Sequence, residues 1–90
     1  MSETPEARLR RLRMRSWRRG TKEMDLILGA FADRRLGRLD ETTLALYDAL
    51  LAENDHDLYQ WVAGAAPAPA RFSALVGEIA AAARAASAGP

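Results

Sequence analysis

Apolar residues recur along this chain with the period of a helix. Met24, Ile27, Leu28 and Phe31 fall at i, i+3, i+4 and i+7, on one face of a 3.6-residue turn. Leu44, Tyr47, Leu50 and Leu51 make a second stripe, Leu58, Trp61 and Val62 a third, and Phe72, Leu75, Val76 and Ile79 a fourth. Upstream, Leu9, Leu12 and Trp17 give only a narrow apolar edge to a segment otherwise covered by arginine. Polar punctuation brackets each stripe. Thr4-Pro5-Glu6 combines a capping hydroxyl, a proline at the first helical position and an acid for the dipole. Thr21, Asp40 and either Asn54 or Asp55 stand where further caps are needed, and Gly20, Gly37 and Gly64 stand where helices stop. Pro67 to Pro69 form the one clear linker. No run alternates with period two for long enough to make a strand. The pattern predicts an all-α protein, a small five-helix bundle in a single domain over 1–90, with a flexible tail at about 86–90.

Charge changes this picture at one end. The net charge is only +1. Residues 1–22 nevertheless carry seven arginines and Lys22 against Glu3 and Glu6, a local +6, whereas residues 23–90 carry five arginines against ten acids, a local −5. A basic arm over about 1–18 therefore precedes an acidic body, and its exposed arginines are expected to act mainly on the rate of association with a partner. The longest apolar run, Ile79 to Ala83, is far short of the roughly 20 residues that span a membrane. Arginines near the start mimic a mitochondrial transit segment, but Glu3, Glu6 and the scarcity of serine argue against one. The expectation is a cytoplasmic protein that works where it is made.

Few chemistries fit the side chains. With no cysteine, the chain has neither a disulfide nor a thiolate metal site. His56, the one histidine, lies between Asp55 and Asp57 in a polar turn, with no nucleophile at a recognisable spacing and too few neighbours to hold a metal. It reads as a dispensable exposed residue. The glycines are isolated and form no phosphate loop. The expectation is therefore no enzyme, no catalytic residue, no metal and no stably bound cofactor. The arm has the charge density of a phosphate-tracking helix, so the alternative is a nucleic-acid-binding or regulatory helical protein; the acidic body speaks against it. Trp61 and Tyr47 fall in register with core stripes, Tyr59 falls off its stripe, and Trp17 stands beside a glycine at the end of the basic helix.

The stretch RRGTKEMD, residues 18–25, interrupts helix on both sides. On a continuous helix Arg19 and Glu23 would be i and i+4 neighbours, worth about 0.3–0.5 kcal/mol as an exposed pair. That pairing leaves Gly20 unexplained, since glycine costs about 1 kcal/mol inside a helix. A turn explains the glycine. A binding site explains all three residues: close approach at Gly20, a planar donor fork on Arg19 and an acceptor on Glu23. Both readings stand on these residues alone.

Arg19, Gly20 and Glu23 form the pattern R-G-x-x-E, followed by the L..Y..LL text at Leu44 to Leu51 and DHDLYQWV at Asp55 to Val62. In this ordered text, from about Arg18 to Val62, the chain resembles the SdhE family of succinate dehydrogenase assembly factors, found in bacteria and in mitochondria. The resemblance implies a chaperone that binds the immature flavoprotein subunit of succinate dehydrogenase, and of fumarate reductase where present. It promotes covalent attachment of FAD through a client histidine while leaving the chemistry to the client. It also implies a client-binding surface of Arg19, Gly20 and Glu23, with Trp17, Lys22 and Asp25 at its margin. The FAD is held by the client. The factor itself is expected to be a monomer with no nucleic acid and no membrane insertion.

Overall fold

Four of the five helices begin after a residue whose side chain accepts a bond from the first turn. In the computed structural model, which describes residues 3–87, the helices are α1 (Pro5–Trp17), α2 (Lys22–Arg35), α3 (Glu41–Leu50), α4 (Asp55–Ala63) and α5 (Ser73–Ser87). Thr4 accepts from the Ala7 N–H at 3.1 Å, Thr21 from Met24 at 3.3 Å, Asp40 from Thr43 at 2.7 Å and Asn54 from Asp57 at 2.9 Å. Each such cap is worth about 1 kcal/mol against alanine. Gly64 closes α4 in the left-handed region at φ +79°, where an L side chain is disfavoured. No strand occurs among the described residues. Of the tail expected at about 86–90, residues 88–90 lie outside the described ones.

Helix α2 ends at Arg35, just before Gly37 as expected, and a 3-10 turn, Leu36–Arg38, carries the chain onward. The turn keeps Leu36 fully buried, and that burial sets where the helix tightens.

The core is one cluster to which every helix contributes, from Leu12 on α1 through Leu28 and Phe31, Tyr47 and Leu50, and Leu58 to Leu75 and Ile79. Helix α1 lies against α2, and α5 packs on both α2 and α4. The Cα radius of gyration, 12.6 Å, is close to the roughly 12 Å expected for a closed globule of this length. Trp61 and Val62 are half-buried rather than buried, and the Trp61 ring lies 6.2 Å from that of Phe72. Tyr47 is the polar point in the core. Its hydroxyl lies 2.6 Å from Ser16 Oγ, which donates to the Leu12 carbonyl at 2.8 Å. Burial pushes the Tyr47 phenol up to about 12, because the phenolate has no water to stabilise it.

Candidate functional site

In the stretch 18–25, residues 18–21 make a sharp turn between α1 and α2, and residues 22–25 are the first turn of α2. Helix α1 ends at Trp17, and Gly20 adopts φ +105°, outside what other L residues take up readily. A Cβ at Gly20 would meet nothing within 4 Å, so the glycine is needed for its backbone angle and not to admit a neighbour. The broken helix separates Arg19 from Glu23, and no ion pair joins them.

Arg19 turns inward. Its side chain is only 11% exposed. Nε donates to Asp55 Oδ1 at 2.8 Å, Nη1 to the Leu51 carbonyl at 2.5 Å and Nη2 to the Glu53 carbonyl at 2.7 Å. Those carbonyls lie where α3 ends, where backbone oxygens lack helical partners and carry the negative end of the dipole. Asp55 is in the first turn of α4. One guanidinium thus fastens the whole α3–α4 connection. The Arg19 backbone N–H in turn donates to Asp25 Oδ1 at 2.6 Å, which ties the same residue to the first turn of α2.

Glu23 points the other way. It is exposed and has neither hydrogen bond nor ion pair among the described residues. It lines an open cleft of about 440 Å³ with Thr21 and Met24 from α2 and Asp55, His56 and Tyr59 from α4. His56 and Tyr59 are exposed, Tyr59 at 44%. Composition alone missed these two as site candidates. The one available signal was that Tyr59 lies off the apolar stripe of its helix. Thr21, Glu23, Asp55 and His56 all lie within the first turn of a helix or at its cap, which is why the two strands of sequence meet.

The remaining predicted site residues are divided. Lys22 is exposed and Asp25 half-buried, and neither lines the cleft. Trp17 lies elsewhere. Its indole covers Gly29 on α2, and Nε1 donates to Asp33 at 3.3 Å. A methyl at Gly29 would come within 2.6 Å of Trp17 Cε3, so the glycine is what lets the ring seat.

The basic arm is a helix of the bundle with much of its charge spent. Arg8 pairs with Glu41 at 2.6 Å, Arg13 with Asp33 at 3.4 Å, Arg15 with Asp48 at 3.0 Å, and Arg11 with both Glu3 at 2.8 Å and Asp48 at 2.9 Å. The Arg11 guanidinium holds the Asp48 and Glu3 carboxyls below the usual carboxylate range. The arginines expected to stand exposed for a partner are thus partly engaged within the fold, with Glu41, Asp33 and Asp48 of the acidic body supplying counter-charge to Arg8, Arg11, Arg13 and Arg15. A phosphate-tracking arm would need those same cations free. Among the described residues no group of three or more carboxylates and imidazoles is placed to hold a metal, and no helix is long and apolar enough to cross a membrane.

Residues 10–83 match the family described as flavinator of succinate dehydrogenase. The chain is similar to proteins named succinate dehydrogenase assembly factor 2, mitochondrial. It is 39% identical to that of Mycosarcoma maydis over 72 residues, covering 80% of this chain and 30% of the relative. It is 38% identical to that of Drosophila grimshawi over 74 residues, 80% of this chain and 50% of the relative, and 39% identical to that of Schizosaccharomyces pombe over 70 residues, 78% and 50%. The chain thus spans half or less of the length of these relatives. Their names place them in mitochondria, which overturns the expectation of a cytoplasmic protein. That expectation took the composition of α1 as evidence about targeting. Arg8, Arg11, Arg13 and Arg15 of α1 are engaged in ion pairs within the fold.

Proposed function

The chain belongs to the family of flavinators of succinate dehydrogenase, and from that membership we propose that it binds the immature flavoprotein subunit of succinate dehydrogenase and promotes covalent attachment of FAD to it. The family match over residues 10–83 carries this reading, because it takes in the turn at Arg19 to Glu23 and all but the ends of the bundle. The geometry agrees with a docking role. The first turn of α2 carries an exposed carboxylate beside an open cleft. The factor acts by binding: it favours a client conformation in which the client's own groups complete the bond to flavin. FAD stays with the flavoprotein, and the factor holds no flavin of its own. The client-facing corner comprises Gly20 and Glu23 with Arg19 beneath and Lys22 and Asp25 around it, while Trp17 is seated away from it on Gly29. A mitochondrial setting is the one that the named relatives support.

The test is complementation. In cells lacking their own factor, expression of this chain restores covalent flavin on the flavoprotein subunit, read as flavin fluorescence that survives denaturing electrophoresis. A flavoprotein that stays unmodified while this chain is present, folded and in the same compartment refutes the proposal.

A further inference from the structure

Resting on the docking role just proposed, the hydrogen bonds of Arg19 reassign the parts of the site. We propose that the flavoprotein is met by the cleft between the first turns of α2 and α4, with Glu23, His56 and Tyr59 as the contacting groups. Arg19 serves the same surface from beneath, as a positioning residue that touches no partner.

The guanidinium has little left to offer a partner. Each of its three nitrogens already donates to an internal acceptor, and the side chain is 11% exposed. Its acceptors lie 32 to 36 residues away in sequence, so its bonds set tertiary geometry and not a local turn. The two elements it joins are the two walls of the cleft. Its backbone is held to α2 through Asp25, and its side chain holds Asp55, which lines the cleft from α4. Loss of Arg19 frees α4 to move relative to Glu23 and leaves the charge of Asp55 without its partner.

The cleft also has the makings of a contact. Tyr59 presents an aromatic ring that is 44% exposed, a group that supplies much area at little entropic cost. His56 stands beside it in the same opening. Arg19 offsets the charge of Asp55, which leaves Glu23 as the uncompensated charge of the cleft. The complementary surface on the flavoprotein therefore carries a cationic side chain against Glu23 and an apolar stem against Tyr59.

The experiment measures binding of the full chain to purified flavoprotein subunit that lacks covalent flavin, with a melting curve of every variant. Tyr59→Ala and Glu23→Gln are expected to weaken binding by about tenfold or more with melting nearly unchanged. Asp55→Asn, which keeps the shape but removes the charge that Arg19 grips, is expected to reproduce the loss seen in Arg19→Gln. Combined with Tyr59→Ala, Arg19→Gln is expected to add little, because both act on the same surface. Arg19→Lys, which reaches part of the acceptor set, is expected to keep intermediate affinity and a measurable fold if Arg19→Gln proves too unstable to assay. Full additivity of Arg19→Lys or Arg19→Gln with Tyr59→Ala, or wild-type binding by Asp55→Asn beside failure of Arg19→Gln, overturns the positioning role. Binding that survives both Tyr59→Ala and Glu23→Gln removes the cleft while leaving the assembly role intact. A wild-type chain that does not bind the subunit at all removes both.

Discussion

A methyl group at position 29 tests how tightly α1 is clasped to α2. Gly29 is buried within α2, and the Trp17 indole lies across it. Helix propensity alone favours Gly29→Ala by about 0.5–1 kcal/mol. Packing opposes it. The new Cβ would meet Trp17 Cδ2, Cε2 and Cε3, the last at 2.6 Å, whereas carbons rest at about 3.5–4.0 Å. The ring must retreat by roughly 1–2 Å or leave, and overpacking of this kind costs about 1–3 kcal/mol. The balance runs from about zero to a net loss of about 2.5 kcal/mol, and at about 4–8 °C per kcal/mol for a domain of this size a mid-range loss is readily seen in a thermal melt. The sign is then made to reverse. In a Trp17→Ala background the clash is gone, and Gly29→Ala is expected to stabilise by its propensity term alone. The coupling between the two positions comes to about 1–3 kcal/mol. If Gly29→Ala raises the midpoint equally with and without Trp17, the indole is not seated on Gly29 and the reasoning fails.

Tyr47 gives the fold an alkaline limit. Its folded pKa, about 12, lies above the ordinary value near 10, so the folded state holds the proton more tightly. The stability is fully present below about pH 10 and is lost as pH rises toward 12, by about 2–3 kcal/mol in total; urea midpoints across that range are expected to fall in the wild type and to stay level in Tyr47→Phe. With Arg8, Arg11, Arg13 and Arg15 engaged by acids, the rate of association with the flavoprotein is expected to fall only weakly from low to high salt in stopped-flow mixing. A steep decline would mean these pairs open in solution. Gly20→Ala is expected to destabilise by about 1–2 kcal/mol through its positive φ alone, since the added methyl meets nothing; unchanged melting would show that the turn at 18–21 tolerates another path.

The helices were legible because their signals are local. A cap at Thr4, Thr21, Asp40 or Asn54 acts within three residues of itself, and a stripe such as Met24 to Phe31 spans two turns. What the sequence concealed was set by partners far along the chain. Arg19 next to Glu23 invites pairing at i and i+4, but its acceptors lie at Leu51, Glu53 and Asp55. Gly29 looks like a helix former's mistake until Trp17, twelve residues earlier, is seen lying on it. Gly37 reads as a stop, and α2 does end at Arg35, but the 3-10 turn that buries Leu36 was not legible. The cleft was half visible: Glu23 belongs to the pattern R-G-x-x-E, but His56 and Tyr59 reach it only because two helix starts are brought side by side.

The opposite charges of the two halves of the sequence are the counterpart of this arrangement. A basic first helix and an acidic remainder attract each other within one molecule before either meets a partner. Arg11 and Arg15 converge on Asp48 of α3, and Arg19 reaches Asp55 of α4, so these pairs link α1 to α3 and the turn after α1 to α4. Gly20 then decides what remains outside. Had the helix run on, Arg19 and Glu23 would share a face and offset one another. By breaking it, the glycine sends the arginine inward, where three acceptors wait, and leaves the glutamate at the rim of the cleft. A pattern of two opposite charges around a glycine is in this fold a means of separating them, with one charge spent on the scaffold and the other left exposed at the cleft.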